Sequence, residues 1–319
     1  MLDLREVERF PVSAFSVVMG LAGLALALGA QTRGLGIGDA WALLVTVPTS
    51  LLFLVLAALY GVKVARYPAA VRAEWAHPVK LAFFPTVAIS LTLLAAAWLP
   101  HAPTLARALS VAGCALQLAL TLAVLSAWLF RGRFEVGHAN PAWFLPVVGN
   151  ILVAVPGATL LPGEVSWFFF GVGLLFWVLL FAVLLHRVVF HPALPEKLMP
   201  TFFIFIAPPA LAFLAYLGLT GNLDPFARVT YYTALFLTLL LLLQSPRFVR
   251  LPFSLSGWAS SFPVATVTVA TSAMHARTGH AFFQVLAWGL LGLLLFIVGV
   301  LVTRTSAVVR RHGLALDEA

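Results

Sequence analysis

Charge is what this sequence has least of. Of its 319 residues only 9% are Asp, Glu, Lys or Arg, while 62% are hydrophobic; soluble domains carry about 25% and 45–50%. A water-soluble chain this apolar could not cover its own core, which excludes an ordinary cytosolic enzyme and a disordered polypeptide. The single cysteine, Cys114, excludes a disulfide scaffold and any multi-cysteine metal site. The eleven acids are Asp3, Glu6, Glu8, Asp39, Glu74, Glu135, Glu164, Glu196, Asp224, Asp317 and Glu318, and none falls well inside a long apolar stretch. A P-loop, a zinc-protease motif and a paired-carboxylate site are also missing. His186 and His191 are five apart and His275 and His280 flank a short loop, so neither pair has the i, i+4 spacing of two ligands on one helical face. No opposed pair of mid-helix histidines suggests a haem. The chain therefore reads as a non-enzyme with no cofactor and no metal; a membrane-embedded enzyme or scaffold would need a nucleophile or acid/base pair that is not legible.

What is present is a succession of long apolar runs. A spanning helix needs about 20 such residues, and ten stretches qualify: 12–30, 40–61, 80–99, 104–130, 141–161, 167–190, 199–218, 228–245, 256–275 and 281–303. Trp41, Trp98, Trp128, Trp143 and Trp167 fall near their ends, where an interfacial belt belongs. The expectation is an all-α polytopic membrane protein forming a single domain over 1–319, with short tails at 1–11 and 304–319. The N-terminus mixes acids with bases and does not read as the n-region of a cleavable signal peptide. Of the 19 Lys and Arg residues, 15 fall on one set of connections, and Arg33, Arg107, Arg228 and Arg277 fall on the other. The positive-inside rule then places both termini in the cytoplasm. The net charge of +8 is topology, with no nucleic-acid partner implied.

Pro11, Pro85, Pro146, Pro208 and Pro263 lie at or inside the odd-numbered stretches, and Pro48 alone falls in an even one. Proline removes a backbone hydrogen bond, a loss tolerated in lipid only where protein or a watery cavity compensates. This pattern predicts five helical hairpins around a centre. The odd helices would be inner, kinked at Pro85, Pro146, Pro208 and Pro263, and the even helices an outer scaffold. With Lys, Arg, Asp and Glu absent from the span centres, the conduit would be neutral, lined by Ser, Thr, Gly and aromatics. Such a conduit binds anions weakly, as a channel requires. Gln117, Asn150 and Gln284 are expected as interhelical hydrogen-bond partners.

Five co-linear motifs carry a resemblance. They are Phe10-Pro11 with Phe15-Ser16-Val17-Val18-Met19-Gly20; His77-Pro78-Val79-Lys80-Leu81-Ala82-Phe83-Phe84-Pro85; Pro141-Ala142-Trp143-Phe144-Leu145-Pro146-Val147-Val148-Gly149-Asn150; Leu194-Pro195-Glu196-Lys197-Leu198-Met199-Pro200-Thr201 with Ala207-Pro208-Pro209-Ala210; and Ser256-Gly257-Trp258-Ala259-Ser260-Ser261-Phe262-Pro263. Together they resemble the TehA-like tellurite-resistance/dicarboxylate transporter (TDT) family, related to the plant slow-type (guard-cell) anion channels. The resemblance implies a homotrimer in the cell inner (plasma) membrane, with one pore per subunit and small anions and membrane lipid as its partners. It implies passage of chloride and nitrate through a pore gated by an occluding phenylalanine, at the position of Phe262. A proton-linked or facilitated carrier of C4-dicarboxylate or sulfite, on the same fold, is the alternative. Phe15, Ser16, Gly20, Phe84 and Phe205 are the pore-lining candidates. The family often has Asn where this chain has Ala82, and paired tryptophans where it has Gly257-Trp258. The long regulatory tails of the plant channels are not matched, so their phosphorylation control is not expected to transfer.

Overall fold

The structure is a computed structural model and describes residues 4–34, 36, 38–132 and 134–313. Arg133 and the acids Asp3, Asp317 and Glu318 lie outside the described residues, as do the extreme ends of both tails. Ten long helices follow one another: α1 (Phe15–Gly34), α2 (Ala40–Arg66), α3 (Thr86–Trp98), α4 (Pro103–Phe130), α5 (Phe144–Leu160), α6 (Gly163–Phe190), α7 (Ala207–Thr220), α8 (Pro225–Leu243), α9 (Ser261–Thr278) and α10 (Ala281–His312). Among the described residues there is no β-strand, and nine helices are long and apolar enough to cross a membrane. The chain is a polytopic all-α membrane protein.

The expected ninth span, 256–275, is the exception to the hydropathy rule. It forms α9, preceded by a 3-10 turn at Leu255–Ser260. Its apolar character is diluted by Thr266, Thr268, Thr271 and Ser272, yet it packs against α1, α7 and α10 and is buried along most of its length. Each of these hydroxyls donates to its own helix four residues back, at 2.7–2.9 Å. Their polarity is satisfied inside the helix, so burial costs little.

Inner and outer helices separate by burial. The spans containing α1, α3, α5 and α7 are 67–78% buried, whereas those of α2, α4, α6, α8 and α10 are 22–39% buried. The outer helices turn apolar side chains to lipid and small or polar ones to the protein. The buried positions of α4, namely Ala106, Ser110, Gly113, Gln117, Thr121, Val124 and Ala127, recur every three or four residues. Lipid is as apolar as leucine, so such a seam gains from close approach and interhelical hydrogen bonds. Gln117 and Thr121 both donate to the carbonyl of Pro146, at 3.2 and 2.6 Å, and Asn150 donates to Thr121 at 3.0 Å.

The proline reading needs one correction. Each inner helix begins with a 3-10 segment: Val12–Ala14, Lys80–Phe83, Pro141–Trp143, Glu196–Ile206 and Leu255–Ser260. Pro85 caps α3, and Pro146, Pro208 and Pro263 sit in the first turns of α5, α7 and α9. They mark the change from 3-10 to α geometry rather than a kink in mid-helix. The first turn of a helix lacks intrahelical acceptors for its N–H groups, so the missing donor costs least there.

One end of the bundle is tied by a buried ion pair. Lys63 at the end of α2 and Glu74 on the short helix Pro68–Ala76 meet at 2.9 Å, with 2% and 7% of their surfaces exposed. Lys63 also donates to the Phe10 carbonyl at 2.7 Å, while Glu74 accepts from Tyr60 at 3.0 Å and from the Val12 N–H at 3.3 Å. At the other end, Arg33 pairs with Asp39 at 3.1 Å, and Arg277 donates to the Gly221 carbonyl at 2.9 Å. Asp224 caps α8 by accepting from the Ala227 N–H at 3.0 Å, and it accepts from Tyr216 at 2.5 Å. The Tyr216 hydroxyl first, and then the Ala227 N–H, hold the Asp224 carboxyl below the usual aspartate range.

Two stability predictions follow from these ends. Lys63→Met strands a buried carboxylate and lowers unfolding stability by about 3–5 kcal/mol, whereas adding Glu74→Gln recovers part of the loss; denaturant unfolding in detergent checks both. A carboxyl with a lowered folded pKa stabilises above its unfolded value, about 3.9, and that gain vanishes as pH falls through the folded value. Wild type should therefore melt above Asp224→Ala at neutral pH, with the gap closing only below the ordinary aspartate range.

Candidate functional site

The five inner helices enclose a central cavity of about 50 Å³. Every one of them contributes to its wall: Ser16 and Met19 from α1, Phe83 and Thr86 at the start of α3, and Phe144 and Val148 from α5. Ile204 and Pro208 come from the α7 strand of the ring, and Trp258 and Phe262 from the turn and first residues of α9. No Asp, Glu, Lys or Arg among the described residues lines it. The Thr86 hydroxyl donates to the Phe83 carbonyl at 2.6 Å. Three phenylalanine rings, Phe83, Phe144 and Phe262, thus face a narrow neutral neck.

On the side of the Lys63–Glu74 pair a vestibule of about 300 Å³ adjoins the neck. The two spaces share Ser16, Phe83 and Ala259 in their walls. Ser13, Ser254 and Ser256 line the vestibule beside Lys80 and Lys197. The Ser256 hydroxyl donates to the Lys197 carbonyl, joining the start of α9 to the start of α7. His77 Nδ1 accepts from the Val79 and Lys80 N–H groups at 3.1 and 3.3 Å, which fixes the turn carrying Lys80. Among the described residues Glu74 is the one acid in the lining, and its carboxylate is bound by Lys63 and Tyr60.

The structure brings two of the six candidate residues to the neck. Ser16 and Phe262 line it; Phe15, Gly20, Phe84 and Phe205 do not. Phe15 packs edge-on against Phe53 and Tyr60 of α2, at centroid distances of 5.8 and 6.2 Å. Phe84 meets Trp75 at 4.9 Å and Tyr60 at 6.4 Å. Phe205 meets Phe144 and Phe181 at 5.6 and 5.4 Å. Phe83 and Ile204 take the places expected of Phe84 and Phe205. A 3-10 segment turns 120° per residue against 100° in an α-helix, so a face extrapolated at α periodicity slips by one position.

Gly20 and Gly23 serve the site from behind. A Cβ at Gly20 would lie 2.2 Å from Ser261 Oγ and 2.7 Å from the Trp258 ring, and one at Gly23 would lie 2.8 Å from the Ala265 Cβ. These glycines let α1 approach α9 closely enough to seat Phe262 at the neck. Trp258 Nε1 donates to Thr305 Oγ1 at 2.9 Å, which anchors the turn before Phe262 to α10. Sequence reasoning missed Trp258 and the neck residues Val148, Leu152 and Leu211; the fourfold spacing of Val148-Leu152 and of Ala207-Leu211 was the available signal.

A family model described as voltage-dependent anion channel matches residues 9–306. The chain is similar to the S-type anion channel SLAH3 of Arabidopsis thaliana, with 32% identity over 275 residues, covering 82% of this chain and 42% of that protein. It is 30% identical over 273 residues to the guard cell S-type anion channel SLAC1 of the same plant, covering 82% and 49%. Against the tellurite resistance protein TehA homolog of Haemophilus influenzae it is 26% identical over 277 residues, covering 86% and 84%. The chain spans about half the length of the curated plant relatives it matches.

Closeness at Gly20 is directly testable. Gly20→Ala forces Ser261 and the Trp258 ring to shift and is expected to cost about 1–3 kcal/mol, whereas Gly34→Ala, in open space, leaves the melting temperature close to wild type.

Proposed function

This chain belongs to the voltage-dependent anion channel family, and from that premise we propose that it is a membrane anion channel passing small monovalent anions such as chloride and nitrate, with Phe262 as its gate. The observation that carries this reading is the neck itself. Five helices enclose it, no charged side chain among the described residues lines it, and it adjoins a vestibule bearing Lys80 and Lys197. Lysines at the mouth raise the local anion concentration. A neutral wall lets the ion leave again, because no fixed cation traps it. A narrow apolar constriction resists wetting, and Phe262 stands in it beside Phe83 and Phe144.

The same premise extends to assembly and orientation. The protein would act as a homotrimer in the cell membrane with one pore per subunit. Both termini would face the cytoplasm, because the basic connections sit on the vestibule side. The vestibule is then the cytoplasmic mouth. Its acid-free neck supplies no carboxylate for tight proton coupling, which favours a channel over a proton-linked carrier of dicarboxylate or sulfite.

Planar-bilayer or oocyte recording tests the proposal. Phe262→Ala should raise chloride current by about tenfold or more, corresponding to about 1.4 kcal/mol removed from the barrier, with surface expression unchanged. Unaltered current in that variant would remove Phe262 from the gate. A saturable flux that follows the pH gradient instead of the voltage would assign the carrier mechanism.

A further inference from the structure

A second recess, of about 360 Å³, lies on the far side of the turn Leu255–Ser260 from the neck, between α8 and α10. Its floor is apolar, formed by Phe203, Leu242, Phe248, Leu293, Phe296 and Ile297, and no acid lines it. Phe296 and the neighbouring Leu243 are exposed on the outer surface of the bundle, so the recess opens toward the bilayer. Arg304 closes one end. It is the first charged residue of α10 after the uncharged run 281–303, which sets it at headgroup depth. Arg247 and Arg250 are also exposed, on and just after the short helix whose Ser245, Phe248 and Val249 line the recess.

We infer that this recess is a binding site for one anionic phospholipid, with an acyl chain along the apolar lining and the phosphate at Arg304. A long apolar slot ending in a cation at headgroup depth complements that ligand and no uncharged one.

The site also touches the gate. Gly257 and Ser260 face the recess, while Trp258 and Ala259 of the same turn face the neck. Thr305, which accepts from Trp258 Nε1 at 2.9 Å, is the residue after Arg304. One 3-10 turn is therefore a shared wall between lipid and pore. An occupant that binds the recess more tightly beside a narrow neck than beside an open one stabilises the narrow state and lowers channel opening. This last step rests on the channel reading; the binding step does not.

Native mass spectrometry of the purified full chain, titrated with phosphatidylglycerol or phosphatidylcholine, reads binding directly. The wild type should retain one tightly held phosphatidylglycerol per chain. Arg304→Gln should weaken it, and Ile297→Trp, which fills the slot, should abolish it. Equal retention in wild type and both variants, or equal retention of the two lipids, overturns the site. Efficient disulfide cross-linking of Ile297→Cys between copies would also overturn it, by placing a second chain there. Chloride flux in phosphatidylcholine vesicles with and without phosphatidylglycerol then reads the coupling. Flux should fall about fivefold or more with the anionic lipid in wild type, and the variants should lose that response. The same response in all three proteins would be a surface-charge effect and would overturn the coupling, whereas absence of chloride flux under every condition would overturn the channel reading and leave the lipid result standing.

Discussion

Backbone polarity in a medium without water is the constraint on which this architecture rests. Every N–H and C=O within the bilayer must find a partner inside the protein, and 3-10 segments beside proline satisfy fewer of theirs than an α-helix does. All five such segments lie at the starts of the inner helices, where protein surrounds them. Gln117 and Thr121 of an outer helix supply donors to the carbonyl of Pro146. The ring of five helices is thus also a way of sheltering five irregular starts, and the neck forms where those starts converge.

Charge obeys the same economy. The cationic side chains sit at the ends of helices, and Glu74, the acid that reaches furthest in, does so only with Lys63 and Tyr60 bound to it. The pair also fastens Phe10 and Val12, the lead-in to α1, to the end of α2. A single cluster therefore joins the scaffold to the inner ring at the mouth of the cavity.

Much of this was legible in the sequence. Hydropathy placed the helices because a spanning segment must be largely apolar. The recurring prolines marked the inner helices because each of those begins with a 3-10 segment, and in four of the five a proline stands where that segment passes into α-helix. Facing was less legible. Phe84 and Phe205 look like neck residues at α periodicity, but the 3-10 starts hand those places to Phe83 and Ile204. The Lys63–Glu74 pair crosses a break between two helices, so no periodic pattern announces it. Trp258 appears in the sequence only as part of the fifth motif, yet it is 1% exposed and lines the neck. Gly20 was visible as a small residue; that it serves the approach of α9 and not the pore surface depends on the packing of two helices far apart in sequence.

The hydroxyl ladder of α9 has a mechanical meaning as well. Thr266, Thr268 and Ser272 bond to carbonyls of their own helix, and Thr271 does so too while accepting from Tyr231 at 3.2 Å. The helix that carries Phe262 thus travels with most of its polar partners aboard. Rotating or sliding it against α1 and α10 breaks few bonds to its surroundings, and its own backbone stays satisfied throughout. Of these four hydroxyls only that of Thr271 also meets another helix, through Tyr231 of α8.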